Sequence, residues 1–135
     1  MKRLVVDVRP GAYSVARLAP DAPVPAGLLD ASGLVSVTRT PDELSIVCLT
    51  EVTPESDISD HGWRLLTVRG PLEFTLTGIM AALSGELAAA GVSLFAISTY
   101  DTDHLLVKSE NLERAVLALS EAGHEVVHDQ AHGRH

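Results

Sequence analysis

Two short runs carry the residues best suited to hold a small charged ligand. Thr77-Gly78-Ile79 stands where a loop runs into an expected helix. A helix start offers backbone N–H groups without intrahelical partners and the positive end of the helix dipole. It therefore suits a carboxylate, and a glycine lets that carboxylate come close. The same residues also serve structure alone, with Thr77 as N-cap and Gly78 as a turn glycine. Ser98-Thr99-Tyr100-Asp101-Thr102-Asp103 lies at a strand end and its turn. Hydroxyl, carbonyl and carboxylate acceptors there suit an ammonium group, with Thr99, Tyr100 and Asp103 as candidates. Asp and Thr are equally ordinary turn residues that bond their own backbone. Asp42 holds the matching place in the first half, which favours the turn role for both aspartates.

The histidines do not assemble a metal site. His124, His128 and His132 fall at i, i+4 and i+8, which would stack on one helix face. Gly123 ends the helix before them, and Val126-Val127 reads as a strand. No second Cys or His cluster completes a ligand set. His104 beside Asp103 is not a catalytic pair, because strand neighbours point to opposite faces. There is no nucleophile elbow, no phosphate-cradling glycine loop and no carboxylate pair on a regular face. The expectation is therefore a protein with no catalytic residue, no metal and no cofactor.

The elements that position these residues are clearest after residue 60. Leu65, Leu66 and Val68 read as a strand. Met80, Leu83, Leu87 and Ala90 recur at helical spacing with Gly91 at the stop. Val92–Thr99 and Leu105–Val107 form a hairpin around the turn. Leu112, Ala115, Val116 and Leu119 stripe a second helix that stops at Gly123, and Val126-Val127 closes the unit. The order is βαββαβ, a ferredoxin-like arrangement. The first half reads as a worn copy of it. At an offset of 61 residues, Arg3, Leu4, Pro10, Ser32, Thr38, Asp42 and Leu44 each meet an identical residue. Pro20, Pro23, Pro25 and Pro54 stand where its helices belong, so those helices are expected to be shortened or lost. The fold class is α+β: tandem ferredoxin-like units, antiparallel sheets with helices on one face. Residues 1–60 are the degraded unit, 61–129 the intact one and 130–135 a flexible tail.

Composition narrows the function classes. Eighteen acidic against ten basic residues leave a net charge of −8, too few cations for a phosphate-binding face. Hydrophobic residues make up 46%, which excludes disorder, and aromatics only 4%, so Val, Leu, Ile and Ala must build the core. Cys48, alone in an apolar run, is expected to be a small buried hydrophobe. Behind Met1-Lys2-Arg3, the run Leu4-Val5-Val6 is cut by Asp7, too short for a signal h-region or a membrane span. A cytoplasmic protein without membrane or nucleic-acid partners is expected.

The wording of two longer segments is familiar. Val37-Thr38-Arg39-Thr40-Pro41-Asp42-Glu43-Leu44-Ser45-Ile46-Val47 and Ile97-Ser98-Thr99-Tyr100-Asp101-Thr102-Asp103, with Gly70-Pro71-Leu72 and Thr77-Gly78-Ile79 between them, resemble the small bacterial tandem ACT-domain proteins. They are similar to one half of the CASTOR-type arginine sensors and, more distantly, to aspartate kinase regulatory domains. The resemblance implies two ACT units with an amino acid held at the interface between units, and it does not imply catalysis. It implies that backbone groups at Ser36 and Val37 meet the ligand's polar end, and that Leu76 and Tyr100 line the side chain's place. Arginine-sensing relatives carry an acidic residue before the Gly-Ile pair; here Leu76 and Thr77 stand there, which implies a neutral or apolar amino acid. The partners implied are that amino acid and a second copy or a regulated protein. The alternative is a structural or protein-interaction module without ligand, with an enzyme a distant third.

Overall fold

The computed structural model describes residues 3–70 and 78–128. Their contacts form two compact units, Ala12–Trp63 and the described residues on either side of it.

The flanking unit contains β1 (Val5–Val8), the Arg64–Val68 part of β5 (Ile58–Val68), α1 (Ile79–Ala89), β6 (Leu94–Ser98), β7 (Asp103–Lys108), α2 (Leu112–Glu121) and β8 (Glu125–His128). Its strands lie side by side as β8, β1, β5, β7, β6. From β5 to β8 the succession is the βαββαβ expected from the sequence. Alternate strand residues Val6, Val8, Leu66, Val68, Leu105 and Val107 share one buried cluster with both helices. Strand side chains alternate in direction, so both helices cover one face of the sheet. On α1 the buried positions are Ile79, Leu83 and Leu87, and on α2 they are Ala115 and Leu119. These are the i, i+4 spacings that align side chains along a helix. Both helices end as expected. Gly91 N–H donates to Ala88 O and Val92 N–H to Leu87 O, and Gly123 and His124 repeat the pattern on Ser120 and Leu119. These are Schellman closures, and Gly91 and Gly123 hold the positive φ they require, 78° and 100°.

The Ala12–Trp63 unit contains β2 (Tyr13–Leu18), β3 (Ser36–Arg39), β4 (Leu44–Leu49) and the first part of β5. The order is β3, β4, β2, β5, antiparallel throughout. Two short 3-10 turns, Leu28–Asp30 and Thr50–Val52, stand where helices would be. Proline removes an N–H donor and clashes with the preceding turn, so Pro20, Pro23, Pro25 and Pro54 leave no room for a longer helix. Leu28, Leu44, Ile46 and Cys48 form one buried cluster in it. Burial pushes the Cys48 thiol above its ordinary pKa; the Thr53 hydrogen bond opposes this and the Glu51 charge adds to it.

Two features depart from the sequence reading. The division at residue 60 does not follow the compact units, because β1 pairs antiparallel with β5 (Val6 opposite Val68) and parallel with β8 (Val6 opposite Val126). The Asp7 carboxylate also takes two hydrogen bonds from Arg69, at 3.1 and 2.5 Å. Arg3, Leu4 and Pro10, matched at the 61-residue offset, thus belong with the second half's strands. The repeat itself lies at another spacing: β4 precedes β7, and the turn Thr50–Val52 precedes the turn Ser109–Asn111, by 59 residues. At that spacing buried Leu28 meets buried Leu87. Thr40 meets Thr99, and each donates its N–H to the carbonyl three residues on, at 2.9 Å. The two offsets differ by an even number, so faces of strands agree under both, and strand periodicity cannot tell them apart.

Candidate functional site

The α1 start is built on Gly78, the N-cap residue, at φ 78° and ψ 3°. Its carbonyl accepts from Ala82 N–H at 2.8 Å. Among the described residues no side chain caps this end, and a Cβ placed on Gly78 would meet none of them within 4 Å. The left-handed backbone at this position is one that glycine adopts without strain. Ile79, only 8% exposed, turns into the core. Leu76 and Thr77, including the expected Thr77 cap, lie outside the described residues.

The turn between β6 and β7 is closed by its own side chains. Thr99 N–H and Thr99 Oγ1 both donate to Thr102 O, at 2.9 and 3.1 Å. Ser98 Oγ donates to Asp103 Oδ1 at 2.7 Å across the hairpin. Thr102 Oγ1 donates to Val68 O at 2.6 Å, which ties the turn to the end of β5. Thr99 and Asp103 therefore do turn work, and Tyr100 stands 80% exposed. Sequence reasoning missed Thr102, because the carbonyl it reaches is 34 residues away. Ser36 and Val37 sit in β3 of the other unit, half-buried and opposite Val47 and Ile46.

Of the histidines, His61 takes a place the sequence did not suggest, and His124 and His128 follow the strand expected there. His61 Nδ1 lies 2.5 Å from buried Ser14 Oγ, which also meets Thr50 Oγ1 at 2.9 Å. The ring borders a polar groove of about 550 Å³ with Thr50, Ser56 and Ser59, apart from every residue named above as a ligand candidate. His124 and His128 bracket β8, a strand, so the helical stack of histidines does not form. Among the described residues no group of His, Cys, Asp and Glu could hold a metal ion, and no helix is long and apolar enough to cross a membrane.

His104 Nδ1 is hydrogen-bonded to Thr67 Oγ1 at 3.0 Å. Burial holds this imidazole below its ordinary pKa of 6.5; the Asp103 charge opposes that and the Arg9 charge adds to it. The unfolded chain then binds more protons than the native one just below pH 6.5, so stability rises with pH there and is lost on acidification. Urea midpoints measured from pH 7.5 to 5 should fall for the wild type and fall less for His104→Gln. Equal slopes would show that another group carries the acid sensitivity.

Comparison with known proteins supplies the context. Residues 58–121 match the family model described as the ACT domain, and residues 11–56 match a model described as an N-terminal domain. A protein named cytosolic arginine sensor for mTORC1 subunit 1, from Homo sapiens, is 40% identical over 58 residues, which are 42% of this chain and 18% of that protein. The chain thus spans about a fifth of that curated relative's length. A crystal structure of protein Atu0741 from Agobacterium tumefaciens is 39% identical, covers 100% of both chains and has a TM-score of 0.90. The regulatory subunit of aspartate kinase from Thermus thermophilus, 13% identical, shares the fold over 87% of this chain and 96% of its own, with a TM-score of 0.63.

Proposed function

Because the chain belongs to one family with the Agobacterium protein and its residues 58–121 match the ACT domain, we propose that it is a regulatory module that binds a small amino acid. The observation that carries this reading is the ACT match on residues 58–121, which takes in β5, α1, β6, β7 and α2, together with the glycine-started α1 within it. The ligand's carboxylate is received by the first N–H groups of α1, at Ile79 and Met80. Its ammonium meets acceptors at the end of β6, the backbone carbonyls there together with the Thr99 and Asp103 oxygens, which keep acceptor capacity beside their bonds in the turn. Leu76, Thr77 and Tyr100 remain the side-chain neighbours, and a neutral or apolar amino acid is favoured over arginine. Ser36 and Val37 enter the proposal only through the resemblance. A second copy or a regulated protein reads the bound state, which the ligand stabilises in proportion to its differential affinity. The turn's internal hydrogen bonds favour a second reading, an interaction module without ligand, in which these residues serve the hairpin alone.

A thermal-shift screen against the free amino acids at millimolar concentration separates the two. A ligand at a hundredfold excess over its Kd should add about 2.7 kcal/mol. Gly78→Ala should remain folded, with a cost of about 1 kcal/mol for its left-handed φ, and should lose the ligand-induced shift. No shift from any amino acid would overturn the binding reading, and a full shift in Gly78→Ala would remove α1 from the site.

A further inference from the structure

His124 is the one buried histidine among the described residues, 6% exposed, and the proposed ligand site does not use it. It precedes β8 and joins three pieces of the flanking unit that are remote in sequence. Leu4 N–H points at its Nδ1 at 3.1 Å, and its Nε2 lies 3.1 Å from Glu86 Oε1 on α1. A backbone N–H can only donate, so Nδ1 must accept and the proton of the neutral ring sits on Nε2, donated to Glu86. In return, Glu125 N–H donates to Leu4 O at 2.9 Å. Leu4, the residue ahead of β1, is thus held by one backbone bond and one imidazole, while Val5 O in the strand itself accepts from Arg69 N–H at 2.8 Å.

We propose that His124 is a proton-operated latch: the neutral ring, set between Leu4 and Glu86, holds Leu4 ahead of β1, and a second proton on the ring releases it. The reason is geometric. A ring protonated on both nitrogens presents N–H to N–H at Leu4, and that hydrogen bond is lost while the contact with Glu86 becomes an ion pair. Glu86 is the charged group that touches the ring, and its side chain is 24% exposed. The neighbouring charges belong to the Arg3–Glu125 pair, 4.0 Å apart and solvated at 72% and 53% exposure, and to exposed Glu121 at the end of α2. None of these supplies another acceptor for Leu4. Val5–Val8 stay paired with β5 and β8 on either side, so the release frees Leu4 ahead of the strand and leaves the sheet and the helices in place.

Residue-resolved amide hydrogen exchange tests the latch on the whole chain. The protection of Leu4, taken relative to Val6 in the same strand, should fall roughly tenfold as the His124 ring titrates, the scale of one net hydrogen bond. In His124→Asn a carbonyl oxygen takes the place of Nδ1 as acceptor and does not titrate, so the pH dependence should disappear while protection persists. Protection of Leu4 unchanged through the titration, or the same fall in His124→Asn, would overturn the proposal. Ring ¹⁵N shifts of the wild type give an answer that does not depend on the variant folding: an unprotonated Nδ1 at neutral pH supports the latch, and a protonated one overturns it.

Discussion

Leu105→Ala should lower the free energy of unfolding by about 3 kcal/mol, within the range of large-to-small core substitutions. Leu105 is fully buried on β7 and shares one cluster with Val6, Leu66 and Leu83. Removing its branched end forfeits the transfer free energy of the lost carbons. It also leaves a void that β7, paired with both β5 and β6, cannot close by moving. Leu117→Ala on α2, where the side chain is 58% exposed, should change stability by less than about 0.5 kcal/mol and serves as the control. Urea unfolding of both variants gives the comparison. Equal costs would mean that the β7 position is not packed as described.

The second large effect belongs to a glycine. Gly33 has φ 76°, and a Cβ there would stand 2.7 Å from Tyr13 Oη and 3.1 Å from Leu49 Cδ1. Tyr13 is only 2% exposed, and its hydroxyl accepts from Leu34 N–H at 3.1 Å. Gly33→Ala therefore adds left-handed strain of about 1–2 kcal/mol to the displacement of a buried hydroxyl, which costs a further 1–3 kcal/mol or so. Gly27→Ala separates the two, since Gly27 has φ 79° but an added Cβ meets nothing within 4 Å. It should show the strain alone. Tyr13→Phe removes the oxygen that the new methyl would strike, so Gly33→Ala combined with Tyr13→Phe should cost less than the two single changes added together. Strict additivity would place the clash elsewhere.

The parts of the fold legible in advance were those governed by local rules. The βαββαβ run after residue 60 follows from period-2 and period-3.6 apolar spacing, and the helix ends at Gly91 and Gly123 follow from the positive φ that glycine alone tolerates well. Loss of helix in the first half follows from proline chemistry. The candidate site was legible only as residue types. Gly78 was singled out, but its left-handed conformation became visible only in three dimensions. Thr99 and Asp103 looked equally fit for a ligand and for a turn, and the folded hairpin shows both side chains in the turn's hydrogen bonds.

The sequence by itself determined the kinds of element and their order, because helix and strand patterns and their stops are written within a few residues. Only the tertiary structure decided which unit owns β1, whether the repeat runs at 59 or 61, and which groups His124 meets. Each depends on pairing between residues far apart in the chain: Val6 with Val68 and Val126, and Leu4 with His124. Hydrogen bonds between remote backbone groups leave no periodic trace in the residues that make them. For His124 the sequence showed one of several histidines near the end of the chain, and folding alone made it the acceptor for the first strand.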